Sequence, residues 1–579
     1  MSNYKIPDSV LKDDFISFKE SYKKFINKEI DEATFKAIRV PYGIYEQRER
    51  NTYMIRVKTN GGQISPKQLL GLSKFAKKYA NLKLHITTRG GIQLHYAKLE
   101  DLCEIIESMH SIGITGRGSG GGTVRNIASD PLSGVAQDDV FDVQPYANAL
   151  TTKMLELKDS FNLPKKYKIA FSSSGADRAM ASITDVGFIA RIKDSKKGFI
   201  VYVAGGMGAK SRLGYKLFDF IPDNEAFLVA EAVKQIFNRY GDREKKSQAR
   251  LRFVAEKLGE EELTRLILEE IRILRNSIDW EINVESSTLE LPILNDLELP
   301  TMNDSHKLWW DRFANPQKQK GYFYLKVPLK LGDIPCELAE KLAIHLEDTP
   351  SGSICFASNQ NLYLRHLTPK KALELYSLIL ELSPQSLKPT IIGDMVACTG
   401  AATCQLGIAR PRGAVLAIEE YLLQKNIDLD SLQGFRIQMS GCPNSCGNHA
   451  TANLGFFGKA KKQGDYSYPA YNIVVGAVIG EGKTRFAKKI ADISAFRLPE
   501  FVYAVLKTYL EVKNIYPRFE DWIDADGEEK IIAIAKEYKE IPDFEQDKRP
   551  YYDYTSDKLF GVSMKERGIG EENNLSRNK

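Results

Sequence analysis

Two stretches decide the reading: Asp394-Met-Val-Ala-Cys398-Thr-Gly-Ala-Ala-Thr-Cys404 and Met439-Ser-Gly-Cys442-Pro-Asn-Ser-Cys446-Gly-Asn448. The first cysteine pair is spaced C-x5-C and the second C-x3-C, with 37 residues between the pairs. Four thiolates at two close spacings are what an iron–sulfur cube needs, because each iron takes one cysteine. Gly400, Gly441 and Gly447 let the backbone turn tightly beside the sulfurs, and Pro443 stiffens the second loop. Structural zinc favours closer knuckles than the first pair offers. Disulfides fit poorly with seven cysteines in 579 residues and no secretory signal. A radical-type cluster needs three cysteines in one short run, and none follows Cys446 at that spacing. Four unconnected core cysteines is the remaining reading, set against the glycine and proline company they keep. A cubane fits best.

Outward from the cysteines, the chain repeats itself. Tyr324-Leu-Lys-Val327 lies on Met54-Ile-Arg-Val57 at an offset of 270 (324 − 54), with Gly332 on Gly62, Ile334 on Ile64 and Leu362-Tyr-Leu364 on Ile92-Gln-Leu94. Arg436-Ile-Gln-Met-Ser440 lies on Lys168-Ile-Ala-Phe-Ser172 at an offset of 268 (436 − 168), with Gly455-Phe456 on Gly187-Phe188. The spacing is far too long for a solenoid and marks an internal duplication. The copies differ in content. The cysteines sit only in the second, whereas the first carries Arg56, Arg89, Arg125, Lys166 and Lys168. One half is expected to hold metal and the other to bind anions, with both sets at a shared interface.

Within the first copy, Thr52 to Lys58 reads as a strand and Gly61-Gly62 as a turn. A helix follows to Tyr79, with Ser65 as N-cap and Pro66 at its first position. Leu84 to Tyr96 reads as one strand, which places His85, Arg89 and Gln93 on one face, and Leu99 to Ser111 as a helix. This order predicts a small α+β half-domain. Alternation puts Lys166 and Lys168 on one face of a strand. Asn224 to Tyr240 and Ser247 to Asn276 read as helices, the first ended by Gly241. Val10 to Ile26 is amphipathic and is expected to pack on the body, as are Trp309-Trp310, Cys103, Cys336 and Cys355. The predicted divisions are an N-terminal helical extension (1–47), a first half-domain (48–115), an anion-binding α/β domain (116–285), a linker (286–320), a second half-domain (321–385), an iron–sulfur α/β domain (386–540) and a polar tail (541–579), whose last dozen residues are expected to be disordered.

A net charge of +6, from 81 basic and 75 acidic residues without long one-sign runs, is too weak and too mixed to argue for nucleic acid, none of which is expected as a partner, and it permits docking of an acidic protein partner. The acid-bearing N-terminus matches neither a signal nor a transit peptide, and no run of about 18 apolar residues exists to span a membrane. A cytoplasmic location is expected.

C-x5-C followed by S-G-C-P-N-x-C-G resembles the sirohaem and iron–sulfur family of sulfite and nitrite reductases, and the resemblance extends from about Pro41 to Leu510. It implies an α+β fold in which ferredoxin-like half-domains pair into one domain beside two α/β sirohaem and iron–sulfur domains. It implies a [4Fe-4S] cluster on Cys398, Cys404, Cys442 and Cys446, with the Cys446 thiolate shared with sirohaem iron. Arg56, Arg125, Lys166 and Lys168 match the family's anion-binding and proton-delivering positions. His85, Arg89 and Gln93 match positions contacting the macrocycle. Lys210 and Arg212 follow the loop Ala204-Gly-Gly-Met-Gly208 and are candidates for its carboxylates. Asn444 is expected to hydrogen-bond near the cluster.

Two departures stand out. Some relatives cross-link a cysteine, five residues before the second arginine, to a tyrosine; Gly120 stands there. His85 stands where relatives carry arginine. The glycine run Gly116-Arg-Gly-Ser-Gly-Gly-Gly122 is expected to form a flexible loop that allows close approach. Lys166-Tyr167-Lys168 matches the sulfite-reducing branch, since the nitrite branch tends to carry asparagine in place of the second lysine. The expected activity is therefore an assimilatory-type, six-electron reduction of sulfite to sulfide. Nitrite reduction to ammonia is the near alternative, and a zinc-stabilised anion-binding scaffold the distant one. Lacking a flavin or nicotinamide fingerprint, the chain is expected to take electrons from a ferredoxin or a separate flavoprotein.

Overall fold

The computed structural model describes residues 6–282, 284, 291, 292, 294, 300–350 and 352–561. Much of the predicted linker, and the last dozen residues expected to be disordered, lie outside them. The chain forms two compact units, Met1–Gly206 with Ser211–Lys388 and Ile479–Thr484, and Met207–Lys210 with Pro389–Val478 and Arg485–Lys579.

The first unit contains two related sheets. In strand Tyr53–Val57 the alternate residues Tyr53, Ile55 and Val57 are buried, which turns Met54 and Arg56 to the opposite face. It pairs with Ile44–Glu46 and Ile92–Ala97, and Lys83–Ile86 completes the local set. The second copy repeats this with Ala314–Pro316, Phe323–Val327, Leu362–Leu367 and Ile354–Phe356. Each sheet takes its fifth strand from the other copy. Asp333–Pro335 pairs with Lys83–Ile86, placing Ile334 opposite Leu84, and Gln63–Ile64 pairs with Ile354–Phe356, placing Ile64 opposite Ile354. The duplicated half-domains are thus interlocked by reciprocal strand exchange.

The helix Pro66–Tyr79 starts as its sequence predicts, with Ser65 and Gln68 bonding reciprocally to each other's backbone N–H. Helix Asp8–Ile26 buries Leu11 and Phe18 against the body, and Trp309, Trp310 and Cys336 are buried in the same core as Phe18. The unit's third sheet runs Ala128–Ser129, Ile169–Ser172, Val186–Lys193, Lys196–Val203, Tyr215–Pro222, with the first two pairings parallel and the others antiparallel. The second unit repeats that order with Val396–Ala397, Ile437–Ser440, Leu454–Gln463, Tyr466–Val475 and Lys488–Ser494. Among the described residues no helix is long and apolar enough to cross a membrane.

Four expectations are corrected. Leu84 to Tyr96 is two strands, Lys83–Ile86 and Ile92–Ala97, turning at Gly90, which has φ +66°. His85 and Gln93 are therefore cross-strand partners, and Arg89 sits in the turn. Ser247 to Asn276 is two helices, Leu251–Leu258 and Glu260–Arg275, broken at Gly259 with φ +83°. Lys166 and Lys168 precede the strand Ile169–Ser172 and flank Tyr167, which bridges to Val124. Residues 541–561, read as polar tail, pack onto the last sheet, with Tyr551 fully buried against Tyr468.

Candidate cofactor and oxyanion site

In the second unit the two cysteine loops are stitched together by backbone. Cys398 N–H donates to Met439 O at 3.2 Å, and Gly441 N–H donates to Cys398 Sγ at 3.2 Å. Asn444 lies beside the Cys442 sulfur, where its backbone and side-chain amides act to lower the thiol. Gly447 lies so close to the neighbouring strand that a Cβ there would sit 1.9 Å from Met439 O, so no other residue fits. Burial pushes the Cys398 thiol up to about 12; nearby Cys446 and Cys442 push the same way, while the Gly441 and Gly400 N–H groups oppose them. Cys442 is raised mainly by burial, with Cys446 and Cys404 adding to it. Cys398, Cys404 and Cys442 are half-buried and Cys446 is exposed. Among the described residues no three His, Cys, Asp or Glu side chains gather at single-ion spacing. A cube asks less of them, one thiolate per iron, and N–H groups aimed at sulfur suit a bound cluster. The donor set fits.

The first unit gathers cations. The glycine-rich segment 116–122 offers its carbonyls to them: Ser119 O accepts from Arg56 Nη1 at 2.8 Å and from Arg125 Nη1 at 2.9 Å, and Gly121 O accepts from Arg125 Nη2 at 3.0 Å. Close approach is as expected, but the segment is packed rather than loose: Ser119 is 2% exposed, and a Cβ on Gly120 would meet Val40 O at 1.9 Å. Arg89 reaches from its turn to Asn126 O (2.9 Å) and Ile169 O (3.2 Å). Burial lowers it to about 10, with Asp185 opposing and Arg125 and Arg250 reinforcing. Burial, then Arg89, Lys166 and Arg250, pull Lys168 well below the usual lysine range, with Asp185 acting the other way. Asp185, fully buried, is the carboxylate set against this group, and it is engaged by Arg250 Nη2 and by Lys168 N–H, at 2.8 and 2.9 Å. The Nε–H groups of Arg89, Arg125 and Arg250 are buried with no acceptor among the described residues. Buried donors and uncompensated positive charge are costly unless an anion joins them. A polycarboxylate macrocycle and a small oxyanion both meet that need.

Sequence reasoning missed several of these groups. Lys58, only 3% exposed, has its Nζ 3.5 Å from Val124 O; burial and repulsion from Arg125 and Arg89 bring it down to about 7. Tyr45 Oη accepts from Gly121 N–H at 3.0 Å, and Arg56 lies over its ring at 5.2 Å. Burial pushes the phenol up, but Arg125 and Arg56 outweigh it and leave it below its ordinary value. Arg250 and Arg252 fall in the 247–276 stretch, whose sequence signals only helix; burial lowers Arg252 to about 10.

Other candidates are placed differently. His85 Nδ1 is 2.8 Å from Asp333 Oδ1, a carboxylate brought by the exchanged strand. Gln93 Oε1 is 3.2 Å from His95 Nε2. Arg212 is committed to Glu260 at 2.6 Å and to the Ala204 and Leu213 carbonyls, so it does not join the cluster. Lys210 is exposed. In the first copy, the positions 268 residues before Cys398, Cys442 and Cys446 hold Asp130, Ser174 and Arg178. Arg178 Nη1 bonds Asp130 at 3.2 Å and Ser174 at 3.1 Å.

Two family models match the chain. The nitrite and sulphite reductase 4Fe-4S domain matches residues 120–273 and 391–542, and the nitrite/sulfite reductase ferredoxin-like half domain matches 45–112 and 315–382. The chain is 26% identical to an assimilatory ferredoxin-dependent nitrite reductase of Haloferax mediterranei, over 89% of this chain and 90% of the relative. It is also 26% identical to sulfite reductase [ferredoxin] 1 of Mycolicibacterium paratuberculosis, over 84% and 88%. It is 25% identical to the sulfite reductase [NADPH] hemoprotein beta-component of Bacillus licheniformis, over 82% and 84%. Its fold is that of Mycobacterium tuberculosis NirA, with a TM-score of 0.76 at 22% identity over 91% of this chain and 98% of that one.

Proposed function

Since the chain belongs to the family of nitrite and sulphite reductases, we propose that it reduces sulfite to sulfide. The family's cofactors are sirohaem and a [4Fe-4S] cluster. In this reading Cys398, Cys404, Cys442 and Cys446 would hold the cluster, and Cys446 would also serve the sirohaem. When bound, the pair would supply the reducing electrons and a redox-active iron centre for the oxyanion.

The chain's own residues do the rest. Arg56 and Arg125 present guanidinium forks to the oxyanion oxygens, pre-aligned by the one carbonyl they share, Ser119 O. Lys166 and Lys168 supply further charge, and the lowered Lys168 gives up a proton more readily than a surface lysine to an oxygen departing as water. Arg89, with His85 and Gln93 on the paired strands, serves the macrocycle edge, and Asn444 steadies the Cys442 sulfur. Lys210 is retained as a carboxylate partner. Arg212 is not, given its pairing with Glu260. The observation that carries the reading is the concentration of buried cations in the first unit, with Arg89, Lys168 and Arg250 near Asp185 and the Nε–H groups of Arg89, Arg125 and Arg250 without an acceptor among the described residues.

Sulfite rather than nitrite rests on Lys168 within Lys-x-Lys. Nitrite is kept as a second reading because a relative named for nitrite is as similar to this chain as one named for sulfite. Purified holoenzyme supplied with reduced viologen decides between them: kcat/KM for sulfite should exceed that for nitrite, and Lys168→Asn should move the ratio toward nitrite by about tenfold. A wild-type ratio favouring nitrite overturns the assignment. As electron donor we favour a small acidic ferredoxin, in keeping with the +6 charge. A flavoprotein partner is the rival, and loss of donor-dependent turnover at high salt separates electrostatic docking from a permanent complex.

A further inference from the structure

The segment beyond residue 542, where the matched family region ends, folds back over the second unit as a strap. Its anchor is Tyr551, fully buried, whose ring packs against Tyr466 and Tyr468 and whose hydroxyl donates to Pro542 O at 3.1 Å. Past that anchor the chain places a carboxylate indoors: Asp553 is 6% exposed and accepts from Arg410 N–H and Tyr554 N–H, each at 2.9 Å. Arg410 returns the favour through its guanidinium, which donates to Thr555 O. Tyr554 fills the space above Gly413, where a Cβ would come within 2.5 Å of the tyrosine Cβ, and its hydroxyl donates to Ala495 O at 2.8 Å.

What Asp553 grips is a backbone hub. Ala409 O accepts from Ala401 N–H at 2.9 Å, inside the loop between Cys398 and Cys404. Ile408 N–H and Ala409 N–H both donate to Gly441 O, at 2.8 and 3.0 Å, beside Cys442. Gly441 N–H in turn donates to Cys398 Sγ. Residues 408–410 therefore tie the first cysteine pair to the second, and Asp553 ties that hub to the strap. A carboxylate removed from water stays buried only where the hydrogen bonds it receives offset the desolvation.

We propose that Asp553 is a positioning residue for the cluster site: through Arg410 it fixes the hub that sets the spacing of the two cysteine pairs, and the strap makes the cluster resistant to loss. This rests on the reading that the four cysteines hold a cluster. The role is absent from the cysteine motifs themselves, since Asp553 is more than a hundred residues (553 − 446 = 107) beyond Cys446.

The test uses purified holoenzyme under air with a strong iron chelator, following cluster absorbance and iron release with time. Asp553→Ala should release iron about tenfold faster than wild type or more, the usual scale for removing a support behind a metal ligand. Asp553→Asn, which keeps an acceptor oxygen for Arg410 N–H, should fall between the two and decides the matter if the alanine variant does not accumulate. Tyr551→Phe removes the anchor's hydroxyl bond elsewhere in the strap and should lower the melting temperature without changing iron release. Iron release from the Asp553 variants at the wild-type rate overturns the inference, as does equal acceleration in Tyr551→Phe. Wild-type protein holding no iron or inorganic sulfide overturns the cluster reading instead.

Discussion

Lys58 shows what a buried charge costs a fold. Its ammonium is enclosed, with Val124 O at 3.5 Å, and burial plus Arg125 and Arg89 bring it to about 7 from an ordinary lysine value of 10.5. A lysine lowered on folding contributes fully to stability above its unfolded value, and that contribution is lost as pH falls toward the folded one. At neutral pH, then, this side chain works against the cofactor-free fold. Lys58→Met should stabilise cofactor-free protein at pH 7 by about 2 kcal/mol. The gain should shrink by pH 10, as read by denaturant titration at the two pH values, while sulfite binding by the holoenzyme weakens. Gly120 is constrained the other way. With Val40 O 1.9 Å from any Cβ, Gly120→Ala must displace the segment whose Ser119 carbonyl aligns both arginines. It should cost about 2 kcal/mol of stability and lower kcat/KM for sulfite more than kcat. An unchanged KM would count against the role given to that carbonyl.

At the scale of elements, legibility followed periodicity. The alternation of Tyr53–Val57, the Ser65 cap and the 270- and 268-residue offsets are local or repeated signals, and each is realised in the structure. The exchanged strands were legible only as matched residues, Ile64 and Ile334, because two or three residues carry no period from which to read pairing. The turn at Arg89 was hidden by β-branched neighbours despite Gly90-Gly91, and the break at Gly259 by an otherwise continuous apolar stripe. Of the site, the cysteines stand out because their spacing has few other uses. Lys58, Arg250 and Arg252 do not, since a lone cation in sequence looks like a solvated one until the fold buries it. The exchange also makes a prediction. Ile334 is fully buried opposite Leu84 in the other copy's sheet. Ile334→Asp should therefore lose about 4 kcal/mol or more and deprotect amides in both Lys83–Ile86 and Ile354–Phe356, as hydrogen exchange would read it. Deprotection confined to one sheet would mean the two do not depend on each other.

Over the whole molecule, the duplication supplies its own control for the metal. The same backbone turn is built twice: Asp177 and Met180 have φ of +51° and +58°, and Ser445 and Asn448, 268 residues later, +56° and +58°. The first copy closes its turn with protein alone, Ser172 Oγ and Ser182 Oγ donating to Asp177 at 2.6 Å each and Arg178 bonding Asp130 and Ser174. The second puts cysteines at the positions of Asp130, Ser174 and Arg178, where burial holds the Cys398 thiol up at about 12. A thiol that reluctant to ionise in the metal-free protein contributes only a weak hydrogen bond, whereas thiolates on iron supply bonds whose free energy is folding free energy. Stripping the cluster should thus loosen one copy and spare the other. In hydrogen exchange with mass-spectrometric readout, peptides covering Ser440–Asn448 and Val396–Cys404 should lose protection by about tenfold or more on removal of iron, while Ser172–Met180 keeps its protection. Arg178→Ala should produce the mirror result, deprotecting Ser172–Met180 with the cluster absorbance intact. If iron removal deprotects both turns alike, the first copy is not the self-sufficient half that its ion pair implies.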